Sequence, residues 1–151
     1  MKINKAYVAN LFSSLLILLF VYTAVSKLLK YSVFVWSISQ SLPIGKFATV
    51  IGWLIPIIEL FTSILLFFPK TRLRGFIAST LLMVVFDVYI SVMLLTVSKL
   101  PCSCGGVVSQ LTWPQHLILN LGYTLIAAIG FLLQKNVQSG KRFSKDMIFT
   151  S

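Results

Sequence analysis

Four long apolar runs constrain the fold of this chain more than any other feature of its sequence. They lie at about residues 6–25, 47–68, 75–97 and 116–133. A helix that spans a bilayer needs about 20 apolar residues at a rise of about 1.5 Å each, and every run is close to that length. The pattern predicts an all-α fold, a four-helix transmembrane bundle over residues 1–135. A basic cytoplasmic tail over residues 136–151 is expected to follow.

The charge content supports a membrane protein. Only 11% of the 151 residues are charged and 58% are hydrophobic, whereas a soluble domain carries about 25% charged residues. The net charge of +10 does not indicate nucleic acid, because the basic residues sit at the ends of the apolar runs. Lipid headgroups and topology signals account for basic residues there. The expected environment is a lipid bilayer.

The distribution of Lys and Arg predicts the orientation in the membrane. With a cytoplasmic N-terminus, nine of the 13 basic residues lie inside, and Lys27, Lys30, Lys46 and Lys99 lie outside. Both termini are then cytoplasmic, and the loop between the third and fourth spans faces the periplasm across the inner membrane. Residues 27–46 are expected to lie at the outer interface, since the segment is too polar to span but carries aromatic residues.

The two cysteines of the chain, Cys102 and Cys104, lie in that outer loop, between Pro101 and a pair of glycines. The periplasm permits disulfides. A disulfide across one intervening residue closes almost no loop and therefore adds little stability, and strain in so small a ring makes it easy to reduce. The spacing favours a redox dithiol, in which both cysteines are catalytic.

Two other interpretations of the cysteine pair stay open. A soft metal ion such as Cu(I) would suit two thiolates, but the chain has no further cysteine and a single histidine, His116, so no metal site is predicted. The pair could also be incidental, because CxC is a weaker signal than CxxC in a thioredoxin-like context.

Two of the three acidic residues, Glu59 and Asp87, lie near the middle of the second and third runs. Ionisable groups at that depth are costly and usually face the bundle interior with a partner. No Lys or Arg is expected at matching depth, so the carboxyls should be protonated, share a proton or bond to neighbouring polar groups. The candidate neighbours are Thr62, Tyr89, Ser91 and Asn120. The functional interpretation is a proton or quinone pocket, and the structural one is a polar clamp between helices.

His116 and Asn120 start the fourth run and share one helix face. His116 could assist a thiolate as a base, although capping the helix at the interface is the commoner role. Asn120 suits a hydrogen bond between helices.

Several of these residues also carry a family resemblance. Over residues 11–133 the chain resembles the MauE branch of the DoxX-like membrane proteins. The shared features are Ser26-Lys27-Leu28, Pro43, Ile58-Glu59-Leu60 and the loop Pro101-Cys102-Ser103-Cys104-Gly105-Gly106. The cysteine loop is the most specific of them.

The resemblance implies a four-helix inner-membrane protein linked with the maturation of methylamine dehydrogenase, whose small subunit is rich in disulfides. It implies a thioredoxin-like periplasmic partner or a disulfide-containing client, and a thiol-disulfide oxidoreductase activity at Cys102 and Cys104. Lys27 joins His116 and Asn120 as an assisting residue. No cofactor is indicated apart from the candidate quinone. The rival hypotheses are an accessory or docking subunit with an incidental CxC pair, and a small-solute or proton-coupled carrier.

Overall fold

The computed structural model describes residues 5–39, 45–96 and 113–149, of which 96% are helical and none lie in strands. A short 3-10 turn, Gly45–Phe47, precedes the third helix. The helices are α1 (Lys5–Leu29), α2 (Tyr31–Ser39), α3 (Ala48–Phe67), α4 (Arg72–Thr96) and α5 (Trp113–Phe149). Four candidate spans, Lys5–Leu29, Gly45–Phe67, Arg72–Leu95 and Pro114–Gly140, are long and apolar enough to cross a membrane. The prediction of an all-α fold with four membrane-spanning helices is confirmed.

Two helices continue past the C-terminal ends of the apolar runs from which they were predicted. The first run was expected to end at residue 25, but α1 continues to Leu29. The last run was expected to end at residue 133, but α5 continues to Phe149. Hydropathy marks where a helix leaves the apolar layer, whereas a helix ends only where its backbone hydrogen bonds stop, and polar residues such as Lys and Gln continue a helix readily.

The core of the bundle lies where α1, α3, α4 and α5 meet. It is formed by side chains that are at most 2% exposed: Leu16, Phe20, Leu66, Phe76, Met83 and Ala127. The opposite faces of the same helices expose apolar side chains, among them Leu18, Phe61, Leu81 and Leu125. Apolar side chains on the outside of a helical bundle contact lipid tails rather than water. The protein is therefore a multi-pass membrane protein.

Helix α2 packs along the first turns of α3. Phe34 and Ile38 of α2 form a second apolar cluster with Ala48 of α3. The close approach depends on Gly52, because a Cβ atom at this position would lie 2.7 Å from Cγ2 of Val35. Small residues allow two helices to approach in this way. The segment expected at the outer interface thus contains a helix that covers one face of α3.

At the end of the bundle opposite α2, both α1 and α4 donate hydrogen bonds to the last turn of α3. The hydroxyl of Ser13 donates to the carbonyl of Leu66 at 3.0 Å, and Nε of Arg72 donates to the same carbonyl at 3.1 Å. Arg72 also donates to the side chain of Asn10. These bonds join the first half of α1, the end of α3 and the start of α4.

Candidate functional site

A lysine and a glutamate form a buried ion pair between α1 and α3. Nζ of Lys27, in the last turn of α1, donates to Oε1 of Glu59, in the middle of α3. The two side chains are 10% and 1% exposed. The hydroxyl of Thr23, one turn before Lys27, donates to the same oxygen at 3.2 Å. Helix α1 therefore supplies two donors to one carboxylate oxygen.

The sequence-based prediction that no Lys or Arg lies at the depth of Glu59 is wrong. Lys27 was assigned to the outer surface because it follows the first apolar run, but α1 remains helical through this residue and its last turn lies beside the middle of α3. The ammonium group also lies 4.9 Å from the centre of the Phe86 ring and 5.7 Å from that of Phe34. Cations are attracted to the faces of aromatic rings, most strongly where water is excluded.

A spacing in the sequence could have found this lysine. The buried positions of α1 include Ala9, Ser13, Leu16, Phe20 and Lys27. Steps of three, four or seven residues follow one face of a helix. Lys27 continues the buried stripe of α1, and this periodicity is a better guide to its position than local hydropathy.

Asp87 of α4 has a separate set of partners on α5. Its Oδ1 accepts from Nδ2 of Asn120 at 2.9 Å, and its Oδ2 accepts from the hydroxyl of Thr124 at 2.7 Å. Asn120 was one of four candidate neighbours named for the two carboxyl groups, and the structure pairs it with Asp87, whereas Thr124, one turn further along α5, was not among the candidates. Ser91 bonds to the backbone carbonyl of Asp87 at 2.7 Å and not to its carboxyl group.

The two carboxyl groups therefore act on different helix pairs. Glu59 bonds to α1, and Asp87 bonds to α5, so each joins two spans. The arrangement of Asp87 matches the polar clamp that was one of the two interpretations, since both of its oxygens accept hydrogen bonds. Glu59 differs, because only one of its oxygens does.

Two buried polar atoms in the described part of the chain have no hydrogen-bond partner: Oε2 of Glu59 and Nδ1 of His116. Buried polar groups are almost always paired, and each exception calls for an explanation. Both residues line one cavity of about 320 Å³. The residues that carry the two unpaired atoms therefore belong to one site.

The cavity lies at the end of the bundle where α1 and α4 end and α5 begins. It is lined by the second half of α1, by α2, by residues 51–59 of α3, by residues 83–90 of α4 and by the start of α5. Thr23, Lys27, Glu59, His116 and Asn120 are polar members of its wall, and most of the rest of the wall is apolar. The three residues predicted as assisting, Lys27, His116 and Asn120, thus line the same cavity as Glu59.

Cys102 and Cys104 lie outside the described residues, as do Pro43 and Pro101. Helix α4 ends at Thr96 and α5 begins at Trp113, so the cysteines lie between these two helices in the chain. Within the described ranges, no group of three or more His, Cys, Asp or Glu side chains could hold a metal ion.

The comparison with protein families gives one match. A family model described as "Methylamine utilisation protein MauE" matches residues 5–133, a range that includes all of α1 to α4, the start of α5 and the cysteine loop. No curated protein and no solved structure matches the chain.

Proposed function

The chain belongs to the family of the methylamine utilisation protein MauE, and from this membership we propose that it is a thiol-disulfide oxidoreductase of the inner membrane. Cys102 and Cys104 exchange disulfides with an exported thioredoxin-like protein or with a disulfide-containing client. The observation that carries the proposal is the extent of the family match, which includes the loop with the two cysteines of the chain. The family links this membrane protein to methylamine utilisation.

The order of the helices supports an exchange site at one face of the membrane. Since successive spans cross the bilayer in opposite directions, the connection from α1 to α3 and the connection from α4 to α5 lie on the same face. The positive-inside distribution favours the periplasm for that face. A periplasmic loop meets exported proteins in a compartment where disulfides persist.

The exchange needs two sulfur atoms close together and one attacking thiolate. A thiolate of the pair attacks a disulfide of the partner protein, and the partner's leaving sulfur departs as a thiolate. The second cysteine of the pair then attacks the mixed disulfide, which releases the partner as a dithiol and leaves Cys102 and Cys104 bonded. The reverse sequence oxidises a reduced partner.

The proposal is tested first by thiol labelling of intact cells with a membrane-impermeant maleimide that shifts the protein on a gel. We expect labelling only after mild reduction, because an outward disulfide has no free thiol. The Cys102→Ser/Cys104→Ser variant gives the background. Within that variant, Lys70→Cys places one thiol at an exposed position of the α3–α4 connection, and we expect it to remain unlabelled until the cells are opened.

Partner trapping then tests the exchange itself. In the Cys102→Ser and Cys104→Ser single variants, the remaining cysteine cannot resolve a mixed disulfide, so at least one variant should accumulate an adduct of higher mass that disappears on reduction. Absence of labelling in reduced cells, with normal labelling of solubilised protein, would contradict the outward loop. Normal maturation of methylamine dehydrogenase with the double Cys→Ser variant would favour the accessory or docking role.

A further inference from the structure

We propose that the cavity beside Lys27 and Glu59 binds the ring of a lipid-soluble quinone, and its quinol, from the bilayer. The binding of the quinone does not depend on the proposed function. The further step, in which the quinone accepts the electrons of Cys102 and Cys104, rests on that function. The proposal stands on the size of the cavity, the chemistry of its wall, the two unpaired polar atoms and its access to lipid.

The size and wall of the cavity suit a small apolar ring. Its volume of about 320 Å³ lies within the range of ligand pockets, about 300–1,000 Å³. Leu19, Ile51, Ile55 and Phe86 supply apolar surface, and Tyr89 supplies a further ring. Ligand pockets typically combine such a wall with a few polar groups that fix the orientation of the ligand.

The polar groups of the wall fit both redox states of the same ring. Oε2 of Glu59 is buried and unpaired, and a carboxylate oxygen can accept a hydrogen bond from a quinol hydroxyl. An ammonium group has three donors, and Nζ of Lys27 can therefore donate to a quinone carbonyl while it is bonded to Oε1 of Glu59. Nδ1 of His116, also buried and unpaired, can accept or donate according to its tautomer.

The charges of the site favour a neutral ligand. Lys27 and Glu59 already neutralise each other, so an ion entering the apolar cavity would be left without a counter-charge, which is costly. A plain lipid tail would leave both unpaired atoms unsatisfied. A quinone is neutral in both redox states, and it carries oxygen atoms on opposite sides of an apolar ring.

The route of entry also favours a lipid-soluble molecule. Val85 and Leu119 line the cavity, and they are 61% and 36% exposed on the outside of the bundle. Their exposed surfaces face the lipid layer, because both residues lie within membrane-spanning helices. A molecule dissolved in the bilayer can therefore reach the wall of the cavity without passing through water.

The redox step balances without a further reactant. The two thiols of Cys102 and Cys104 lose two electrons and two protons as the S–S bond forms. The quinone gains both electrons, and each of its oxygen atoms takes up one proton, which gives the quinol. Lys27, Glu59 and His116 hold the two oxygen atoms in either state.

The experiment measures binding of decylubiquinone to the full-length protein in lipid nanodiscs and, separately, its reduction by protein whose cysteines have been reduced. We expect saturable binding by the wild type and equal binding by the Cys102→Ser/Cys104→Ser variant, which should not reduce the quinone. His116→Phe keeps a ring but removes Nδ1, and it should weaken binding at least tenfold. Ile118→Phe, an exposed position of the same helix, is the matched control and should bind as the wild type does.

Five outcomes bear on the two proposals. Binding with reduction supports both, and binding without reduction supports the site but contradicts its use as electron acceptor. Absence of saturable binding overturns the inference and leaves the thiol-labelling test of the proposed function unaffected. If decanol displaces the quinone as effectively as another quinone does, the cavity is a general lipid site, and this result would also overturn the inference. Binding by His116→Phe that equals binding by the wild type would overturn the contacts assigned to the quinone.

Discussion

The ammonium group of Lys27 is bonded to the carboxylate of Glu59 across 32 positions of the chain, and both side chains are buried inside a bundle of membrane-spanning helices. A single charge buried at this depth is costly, and a pair of opposite charges is tolerated because each charge compensates the other. The pair joins the end of α1 to the middle of α3. It also forms one side of a cavity in which Oε2 of Glu59 has no partner.

Removing the lysine alone should destabilise the protein strongly. Lys27→Met keeps most of the side-chain volume but leaves the carboxylate of Glu59 buried without its cation, and breaking a buried ion pair costs about 3–5 kcal/mol. Thermal unfolding of the variant in detergent, followed by circular dichroism, should show a clear fall in the midpoint temperature. The double variant Lys27→Met/Glu59→Gln should recover much of the loss, since it removes both charges.

Lys30→Met is the matched control for this prediction. Lys30 is exposed and lies one turn after Lys27, so the same substitution there should change the midpoint little. Equal effects at the two positions would mean that the loss comes from a changed helix end and not from the ion pair. A double variant less stable than Lys27→Met would argue against charge compensation.

Thr124→Val should weaken the contact between α4 and α5. The hydroxyl of Thr124 donates to Oδ2 of Asp87 at 2.7 Å, and valine has the same shape without the donor. Loss of a hydrogen bond to a buried acceptor costs about 1–2 kcal/mol, with the lower values typical of membrane helices. The measurement is the free energy of unfolding in mixed micelles.

Thr80→Val provides the comparison for Thr124→Val. Thr80 is also half-buried, but its hydroxyl donates to the carbonyl of Phe76 within α4, at 2.8 Å. Its replacement should cost less, because no bond between helices is lost. If the two substitutions have the same effect, the Asp87 contact does not stabilise the α4–α5 pair.

Gly52→Ala should displace α2 from α3. A Cβ atom at this position would lie 2.7 Å from Cγ2 of Val35 and 3.2 Å from the ring of Tyr31. Overpacking of this kind costs about 1–3 kcal/mol. Val35→Ala, combined with Gly52→Ala, should restore part of the stability because it removes the atom that the new methyl group meets.

Gly122→Ala tests whether the effect at Gly52 is steric. A Cβ atom at Gly122 would have no neighbour within 4 Å, and alanine is the better helix former by about 1 kcal/mol. The midpoint temperature of Gly122→Ala should stay the same or rise. A loss of stability in both variants would point to a general intolerance of the bundle to the replacement of glycine.

Several features of the site could be predicted from single positions. Glu59 and Asp87 were recognised as buried because an acidic residue in the middle of an apolar run has no route to water. Asn120 was recognised as a residue that bonds between helices, because amide side chains within spans do so, but the sequence did not indicate which carboxyl group is its partner. Thr23 and Thr124 were missed, since a threonine in an apolar helix can bond to its own backbone or to another helix, and the residue type does not distinguish these cases.

Lys27 shows most clearly where prediction from sequence ends. Its neighbours in the chain mark the end of an apolar run, and a lysine there usually extends to the membrane surface. Its actual depth depends on how far α1 extends and on where α1 crosses α3. Both are properties of the packed bundle.

The sequence by itself determined the all-α class, the four spans and the burial of two carboxyl groups, because each follows from the free energy of transferring residues from water into lipid. Only the tertiary structure decided which side chains meet: Lys27 with Glu59, Asp87 with Asn120 and Thr124, and His116 with the cavity. Such pairings join residues more than 30 positions apart in the chain. The packing of whole helices sets them, and the transfer free energy of single residues carries no information about that packing.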